Sequence, residues 1–212
     1  DGVVGGRFLH DKGNTIKTIL SALNNSGYYV TYKVLTTLDY GIPQMRQRVY
    51  FIGVRNDLNI SIDSFIWPKE KQMTELFELL TDNILCDEEQ IERFRYYLKN
   101  DENASKFELE DIKKLPNCIL DTRMNDLRIY YGKCPTLRAQ RDGVYYVKDH
   151  QIYQLTGVEA LMLQGFPREY AYKVKDKISN RHLLMQAGNA MSVNVIKELG
   201  ISLLDLLNNK SH

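Results

Sequence analysis

The sequence lacks the features that mark three large classes of protein. In 212 residues no apolar run approaches the roughly 20 residues that span a membrane, and the first residues do not show the charged-then-apolar pattern of a signal peptide. Cysteine is scarce, because Cys86, Cys118 and Cys134 are the only three and none forms a CxxC pair. Neither a disulfide framework nor a zinc site is indicated. We expect a cytoplasmic protein with no metal and no membrane partner.

A general excess of positive charge is also missing. The net charge of +1 argues against a uniformly basic nucleic-acid binder. The distribution of charge is more informative, because residues 128–141 contain cations and no acid, whereas residues 70–92 are rich in acids and contain one cation, Lys71. A phosphate backbone would be attracted to the first stretch and repelled by the second. A solvated charged surface is the alternative interpretation of each stretch.

The first third of the chain has the element order of an α/β layered domain. Residues 14–26 are predicted to form an amphipathic helix with Asn14 as its cap. Strands are predicted over 28–35 and 48–54. The second strand is apolar on both faces, which is typical of a central strand in a covered sheet. Two or three strands make an incomplete sheet, so we expect the chain to begin in the middle of a fold.

The remainder of the chain is predicted to mix short helices with a small β region. The elements expected after residue 67 are helices over 73–80 and 87–99, a β region over 127–155 with its turn at Asp142–Gly143, and a last helix from about Ser192 to Leu207. Asp87 and Gln90 have the spacing of a capping arrangement, and Thr156 and Glu159 have that of a capping box.

Three motifs, in order along the chain, carry a family resemblance. "GIPQMRQRVYFIG" (41–53) resembles the GxPQxRxR-strand motif of DNA cytosine-5 methyltransferases. "PTLRAQ" (135–140) followed by "LTGVEALMLQGFP" (155–167) resembles the PTLT and LTPxExxRLQGFP segment of that family. "QAGNAMSVNV" (186–195) resembles its QxGNAVxxxV motif. The three stand in the family's order, and a variable insert occupies the place of the target-recognition region.

The resemblance implies an α/β fold. We expect the C-terminal part of a Rossmann-like S-adenosylmethionine-dependent methyltransferase, with a smaller mixed α+β target-recognition domain. The expected divisions are 1–62 for the remainder of the catalytic domain, 63–178 for the target-recognition domain, and 179–212 for a segment that returns to the catalytic domain.

The same resemblance indicates what this sequence does not contain. The family's glycine-rich S-adenosylmethionine loop, Pro-Cys nucleophile loop and Glu-Asn-Val segment all precede these motifs, and none is found here. Cys134 precedes a proline instead of following one, so we interpret it as a structural cysteine. The chain is therefore expected to be a fragment or one subunit of a restriction–modification methyltransferase, inactive alone, whose partners are double-stranded DNA and the N-terminal catalytic half.

The chemistry of the family assigns roles to three residues of the first motif. The enzyme must swing the cytosine out of the base stack and read it in a pocket. By resemblance, Arg48 contacts the ring carbonyl, and Arg46 holds the catalytic glutamate of the missing half or a neighbouring phosphate. Gln44 fills or braces the space that the base leaves. Without the resemblance, the two arginines would be interpreted as an ion-paired β edge.

The other motifs supply the expected cofactor and DNA contacts. Gly188, Asn189 and Ala190 match a loop that closes over S-adenosylmethionine, although a Gly-Asn pair alone indicates only a turn. Phosphate and base contacts are expected from polar side chains of the second motif and of the variable region. These candidates are Thr136, Arg138, Gln140, Arg141, Arg123 and Arg128. An ordinary strand threonine and a solvated loop are the alternatives.

A DNA-binding module without catalysis is the competing hypothesis. Such a module would be either a specificity subunit or a decayed methyltransferase half. It would not need Arg46, Arg48 or Asn189, and all three are present in the sequence.

Overall fold

The computed structural model describes residues 13–104, 106–139 and 143–208. Its α-helices are α1 Asn14–Asn25, α2 Leu76–Leu79, α3 Glu88–Leu98, α4 Leu109–Lys113, α5 Gly157–Met162, α6 Arg168–Lys175, α7 Asn180–Asn189 and α8 Val193–Asn208. Its strands are β1 Tyr28–Thr36, β2 Gln44–Met45, β3 Gln47–Arg55, β4 Cys118–Asp121, β5 Arg128–Tyr130, β6 Cys134–Pro135, β7 Val144–Lys148 and β8 Gln151–Gln154. The architecture is mixed α/β, as expected.

The first two long strands form an antiparallel pair, with Tyr28 opposite Arg55 and Thr36 opposite Gln47. Alternate residues of β3 are buried, and they pack with Leu35 of β1 and with Val195 and Leu199 of α8. Among the described residues β3 pairs with β1 and with no other strand. This differs from the central strand that its apolar pattern predicts, and the outer face of β3 stays partly exposed.

Helix α1 lies next to this strand pair but starts differently from the prediction. Its N-cap is Gly13, in a left-handed conformation with φ 83°, and Asn14 is the first helical residue. No side chain of α1 is fully buried. The predicted Asn14 cap is therefore wrong, because a glycine takes the positive φ that the chain needs there.

A four-stranded antiparallel sheet, in the order β5-β4-β7-β8, forms the second half of the molecule. Strand β4 was not predicted. The tight turn of the β7–β8 hairpin is at Asp149 and His150, with φ 49° and 63°. The turn predicted at Asp142–Gly143 does not join paired strands, since β6 pairs with β2 and not with β7. Asp142 itself lies outside the described residues.

The helices with strong capping signals agree best with the prediction. Both capping boxes are present, Asp87 with Gln90 at α3 and Thr156 with Glu159 at α5, and the last helix is found as α8. Helix α2 has four residues and is shorter than predicted. The sequence did not predict α4, α6 or α7.

One short parallel pairing brings distant motifs together. Strand β2 pairs with β6, so that Gln44 lies opposite Cys134 and Met45 opposite Pro135. The first motif therefore meets the start of the second within hydrogen-bonding distance. Within the described ranges, no helix is both long enough and apolar enough to cross a membrane.

Candidate functional site

Arg46 lies between β2 and β3, and its side chain turns into the protein, where 7% of the residue is exposed. Its Nη1 donates to the carbonyl of Leu137 at 3.2 Å. Its Nη2 donates to the carbonyls of Gly188 and Ala190 at 3.4 and 2.8 Å. A single guanidinium therefore joins residues of all three motifs.

This buried cation has no anion beside it. No carboxylate from residues 13–104, 106–139 or 143–208 pairs with Arg46, and its buried Nε makes no hydrogen bond there. Burial lowers the pKa of Arg46, and the nearby charge of Arg48 lowers it further. A buried charge is normally paired, so the site has unused capacity for a negative group.

Gly188 brings the third motif directly against the second. A Cβ at this position would lie 2.3 Å from the amide nitrogen of Ala139 and 2.5 Å from the carbonyl carbon of Arg138. Such distances are too short for any side chain, so the two backbones touch only because the residue is glycine. Gly188 and Asn189 are the last two residues of α7. The expectation of a loop at these two positions is wrong.

Gln44 of the first motif is fully buried. Its Nε2 donates to the carbonyl of Leu163 at 2.6 Å. Gln164, which is also fully buried, donates to the carbonyl of Ala187 at 2.7 Å and lies 3.5 Å from Oε1 of Gln44. Gln44 therefore braces the joint between β2 and the end of α5, and Gln164 of the LQGFP motif is the partner that sequence reasoning missed.

Arg48 is exposed, two residues after the buried Arg46. On β3 it lies opposite Leu35. Its side chain bonds to the carbonyl of the preceding residue, Gln47, at 2.6 Å, and it has no ion pair within the described part of the chain. The guanidinium can therefore accept an external partner.

In the second motif, Thr136 forms a hydrogen bond within the protein, whereas Arg138 forms none with the described residues. The hydroxyl of the half-buried Thr136 donates to the carbonyl of Met45, so a phosphate contact would require this proton to be redirected. Arg138 is exposed and makes no bond to any described residue. Gln140 and Arg141 lie outside the described residues.

Arg123, which is predicted to contact DNA, has its side chain engaged inside the protein. Its side chain is 6% exposed and forms a two-pronged ion pair with Asp121, with Nε–Oδ1 2.7 Å and Nη2–Oδ2 2.8 Å. Its Nη1 donates to the carbonyl of Thr136 at 2.8 Å. Burial alone would lower the pKa of Arg123, but the bonds to Asp121 outweigh it and raise that pKa. With its donors committed inside the protein, Arg123 holds β4 to the second motif.

Arg128, in contrast, remains available. It is exposed at the start of β5, and its Nε lies 3.5 Å from Asp126 at the surface. An exposed pair of this length holds an arginine weakly. Arg128 can therefore exchange its partner for another anion.

Burial disfavours the thiolate form of all three cysteines. Burial raises the pKa of Cys134, which is fully buried, to about 12. It raises the pKa of Cys86 to about 12 and that of Cys118 to about 11. A cysteine nucleophile needs the thiolate at working pH, so this finding supports a structural interpretation of Cys134. No group of three or more potential metal-binding side chains was found among the described residues.

The end of α7 has the chemistry that a cofactor site would need. Asn189 is exposed and its side chain makes no bond to described residues, so both its amide donor and its carbonyl acceptor are available. Arg46 and the close contact at Gly188 fix the backbone on either side of it. These residues fit a polar cofactor group, and Asn189 is the side chain that would contact it.

Comparison with known proteins gives a consistent result. The family described as C-5 cytosine-specific DNA methylase matches residues 4–205. The chain is 32% identical over 197 residues to the type II methyltransferase M.Bsp6I of Bacillus sp. (strain RFL6), covering 90% of this chain and 59% of that protein. It is 32% identical over 214 residues to the type II methyltransferase M.HhaI of Haemophilus parahaemolyticus, covering 96% of this chain and 62% of that protein.

Solved structures agree in fold. A DNMT2 mutant from Spodoptera frugiperda matches with a TM-score of 0.56 at 17% identity, covering 93% of this chain and 63% of that one. The methyltransferase EhMeth of Entamoeba histolytica matches with a TM-score of 0.54 at 17% identity, covering 96% and 61%. The chain thus spans about three fifths of the length of each of these four proteins.

Proposed function

The chain belongs to the C-5 cytosine-specific DNA methylase family, and from this membership we propose that it is the base-contacting and DNA-reading part of a cytosine-5 DNA methyltransferase. The enzyme would methylate carbon 5 of an extruded cytosine in duplex DNA, with S-adenosylmethionine as the methyl donor. The names of M.Bsp6I and M.HhaI as type II methyltransferases support a role in restriction–modification.

The observation that carries this proposal is the position of Arg46. It gathers the segments assigned to the base, the phosphate and the cofactor around one guanidinium. No carboxylate of the described residues pairs with Arg46, which supports a carboxylate supplied from outside them, namely the family's catalytic glutamate. Because an arginine fork can bond in two directions, Arg46 would hold that glutamate without releasing the carbonyls.

Arg48 would act on the base itself. When a thiolate adds to ring carbon 6 of cytosine, negative charge develops on the ring. A donor that already points at the ring carbonyl stabilises this charge without further reorganisation. The exposed and unpaired guanidinium of Arg48 has the freedom that this role needs.

DNA phosphates would be contacted by exposed cations and not by buried ones. Arg138 and Arg128 are the described candidates that remain, since Arg123 is committed to Asp121. Thr136 would contribute only if its hydroxyl left the carbonyl of Met45. Gln44 would brace the space that the base leaves, and its bond to the carbonyl of Leu163 supports the bracing role.

S-adenosylmethionine, when bound, supplies the methyl group. In this chain Asn189 would hold its polar groups, while Gly188 and Ala190 supply the fixed backbone beside it. Most of the cofactor site and the nucleophile would come from the glycine-rich and Pro-Cys loops of the family, which this sequence lacks. The raised pKa values of the three thiols support a nucleophile that comes from one of those loops.

We also propose a domain division close to 1–62, 63–178 and 179–212, with one change. Helix α7 packs on α5, and its Leu183 and Ala187 share a buried cluster with Val158 and Leu161. Helix α8 instead packs on the β1–β3 pair. The return to the catalytic domain would therefore begin at α8, near residue 193.

The deciding experiment is methyl incorporation into duplex DNA from labelled S-adenosylmethionine. The purified chain alone is expected to transfer none, and a second polypeptide carrying the three absent loops should restore transfer. Steady turnover by the chain alone would mean that one of its own residues is the nucleophile. If the mixture binds DNA but never methylates it, the chain is a binding module without catalysis.

A further inference from the structure

A cavity of about 980 Å³ lies between α3, the segment after β6, and α7. Its floor includes the buried side chains of Leu137, Val144 and Leu155. Arg93, Arg138, Arg181 and His182 line it, and none of the lining residues that the structure describes is an aspartate or a glutamate. The cavity therefore presents positive charge from three separate elements.

These cations are available to a ligand. Arg138 and Arg181 are exposed and make no hydrogen bond or ion pair with the described residues. Nη1 of Arg93 lies 3.9 Å from Oε1 of Glu89, one turn earlier in α3, and both side chains are mostly exposed. Such a pair stabilises little. His182 is bonded to Ser179, and the inference does not depend on its charge.

The location of Arg93 is unusual for its helix. Helix α3 carries Glu88, Glu89 and Glu92, within the acidic stretch that would repel a phosphate backbone. Yet the face of α3 that lines the cavity presents Gln90 and Arg93. The acids of this helix therefore lie outside the lining, and the charge facing the cavity is positive.

We propose that this cavity is a cleft that binds the sugar–phosphate backbone of the target duplex, with Arg93 and Arg181 as phosphate contacts that no motif of the sequence indicates. This rests on the proposed function. The cleft continues from Arg138, whose preceding residue Leu137 is held by Arg46, so DNA reaching the second motif would extend into it. Arginine suits this task because its planar fork matches a phosphate.

The test measures binding of a fluorescently labelled duplex to the full chain by anisotropy at several salt concentrations. Each phosphate contact contributes about 0.9 to the slope of log affinity against log salt. Arg93→Ala and Arg181→Ala should each lower the slope by about that amount. Between about 50 and 200 mM salt, the fall in affinity should then be roughly 3.5-fold smaller for each variant. The double variant should lose about two units.

Arg95→Ala is the matched control. Arg95 is on the same helix as Arg93 but outside the cavity lining, and it is paired with Glu92. Its removal should leave both slope and affinity unchanged. Arg181→Lys should keep most of the salt slope, because that slope depends on the number of phosphate charges neutralised and lysine keeps the charge.

Four results would overturn the inference. If both alanine variants bind the duplex with the wild-type slope, the cleft does not hold phosphates, while the proposed function survives. If Arg181→Lys loses as much as Arg181→Ala, the residue acts through packing. If a mononucleotide binds to the chain and only that binding is lost in Arg181→Ala, the cavity serves a small ligand instead. If the wild-type chain binds no duplex, either alone or with the second polypeptide that carries the three absent loops, both the proposed function and the cleft are wrong.

Discussion

The arginines predicted to act in catalysis or in DNA binding fall into two groups in this molecule. Arg46 and Arg123 are interior and donate to carbonyls or to a carboxylate of the protein. Arg48 and Arg128 are at the surface, with only a neighbouring carbonyl or a loose ion pair. Arg46 and Arg48 are two residues apart, so the motif alone does not separate them. The interior arginines hold segments together, and the surface ones are free to reach a ligand.

The two interior arginines also differ from each other. Taking a guanidinium out of water is costly and must be offset by well-placed partners. Arg123 is offset by the buried carboxylate of Asp121, whereas Arg46 has only carbonyls. Arg123 thus forms an ion pair within the protein, whereas the described partners of Arg46 are backbone carbonyls alone.

The largest expected effect is on stability, at Arg123. Arg123→Ala leaves the carboxylate of Asp121 buried without a cation, and breaking a buried pair in this way costs about 3–5 kcal/mol. Chemical denaturation of the chain measures this loss. Arg128→Ala, at the exposed start of β5, should leave the denaturation midpoint unchanged. A loss at Arg123 no greater than that of Arg128→Ala would end the distinction between the two groups.

The second prediction concerns catalysis at Arg48. In the assembled enzyme, Arg48→Ala should lower turnover by roughly a hundred- to a thousand-fold, about 3–4 kcal/mol, because it removes a preorganised donor. Stability and DNA affinity should hardly change, since the contact forms mainly in the transition state. Arg55→Ala, on the same strand and paired with Asp57, is the control with normal turnover.

Saturation curves with DNA distinguish the possibilities for Arg48. If Arg48→Ala loses affinity in proportion to its rate, Arg48 acts in the ground state, as a phosphate contact does. Normal turnover by Arg48→Ala would favour the alternative interpretation, in which Arg48 is only a charged residue at the edge of a β-strand. Either result would place Arg48 outside the catalytic role proposed here.

The third prediction tests the contact that joins the second and third motifs. Gly188→Ala places a Cβ 2.3 Å from the backbone of Ala139, and overpacking of this kind typically costs about 1–3 kcal/mol. Gly200→Ala is the control, because nothing lies within 4 Å of a Cβ there. In helix α8 that change should stabilise by about 0.5–1 kcal/mol. Equal stability of the two variants would show that the backbones can separate without cost.

Local signals explain how much of the fold the sequence predicts. Both capping boxes and α8 follow from residues three or four apart, so they were found. The hairpin turn at Asp149 and His150 was missed because two non-glycine residues take positive φ there, which their residue types do not require. Strand β4 was missed as well, and with it the reason why Arg123 turns inward.

The site was predicted at the level of motifs and not of contacts. The order of the three motifs identified the segments that meet. Gln44 contacts Gln164, which is 120 positions away, and both are buried. Such long-range packing leaves no local pattern. For the same reason Arg93 and Arg181, which come from different helices, could be associated only through the cavity between them.

The fourth prediction uses pH to examine the interior pair. Burial alone would raise the pKa of Asp121, but hydrogen bonds from Arg123 outweigh it and hold that pKa below its usual value. Such a carboxyl stabilises the fold above its unfolded pKa of about 3.9, and this stabilisation is lost as the pH falls through the lower, folded value. The gap in unfolding free energy between wild type and Asp121→Asn should therefore narrow below about pH 4. A gap that stays constant on acidification would mean that the pair contributes nothing through charge.

The smallest expected effect is at Arg128, and it concerns DNA alone. As an exposed cation with a loose partner, Arg128 should contribute one phosphate contact, so Arg128→Ala should lower the salt slope of duplex binding by about 0.9. Binding should weaken equally for all sequences, since a phosphate contact carries no base information. Asp126→Asn is the informative partner variant, because removing the carboxylate 3.5 Å away should strengthen binding slightly if Arg128 must leave it to reach DNA. An unchanged slope in Arg128→Ala would show that exposure alone does not make an arginine a DNA contact, and the comparison would then hold only for the interior group.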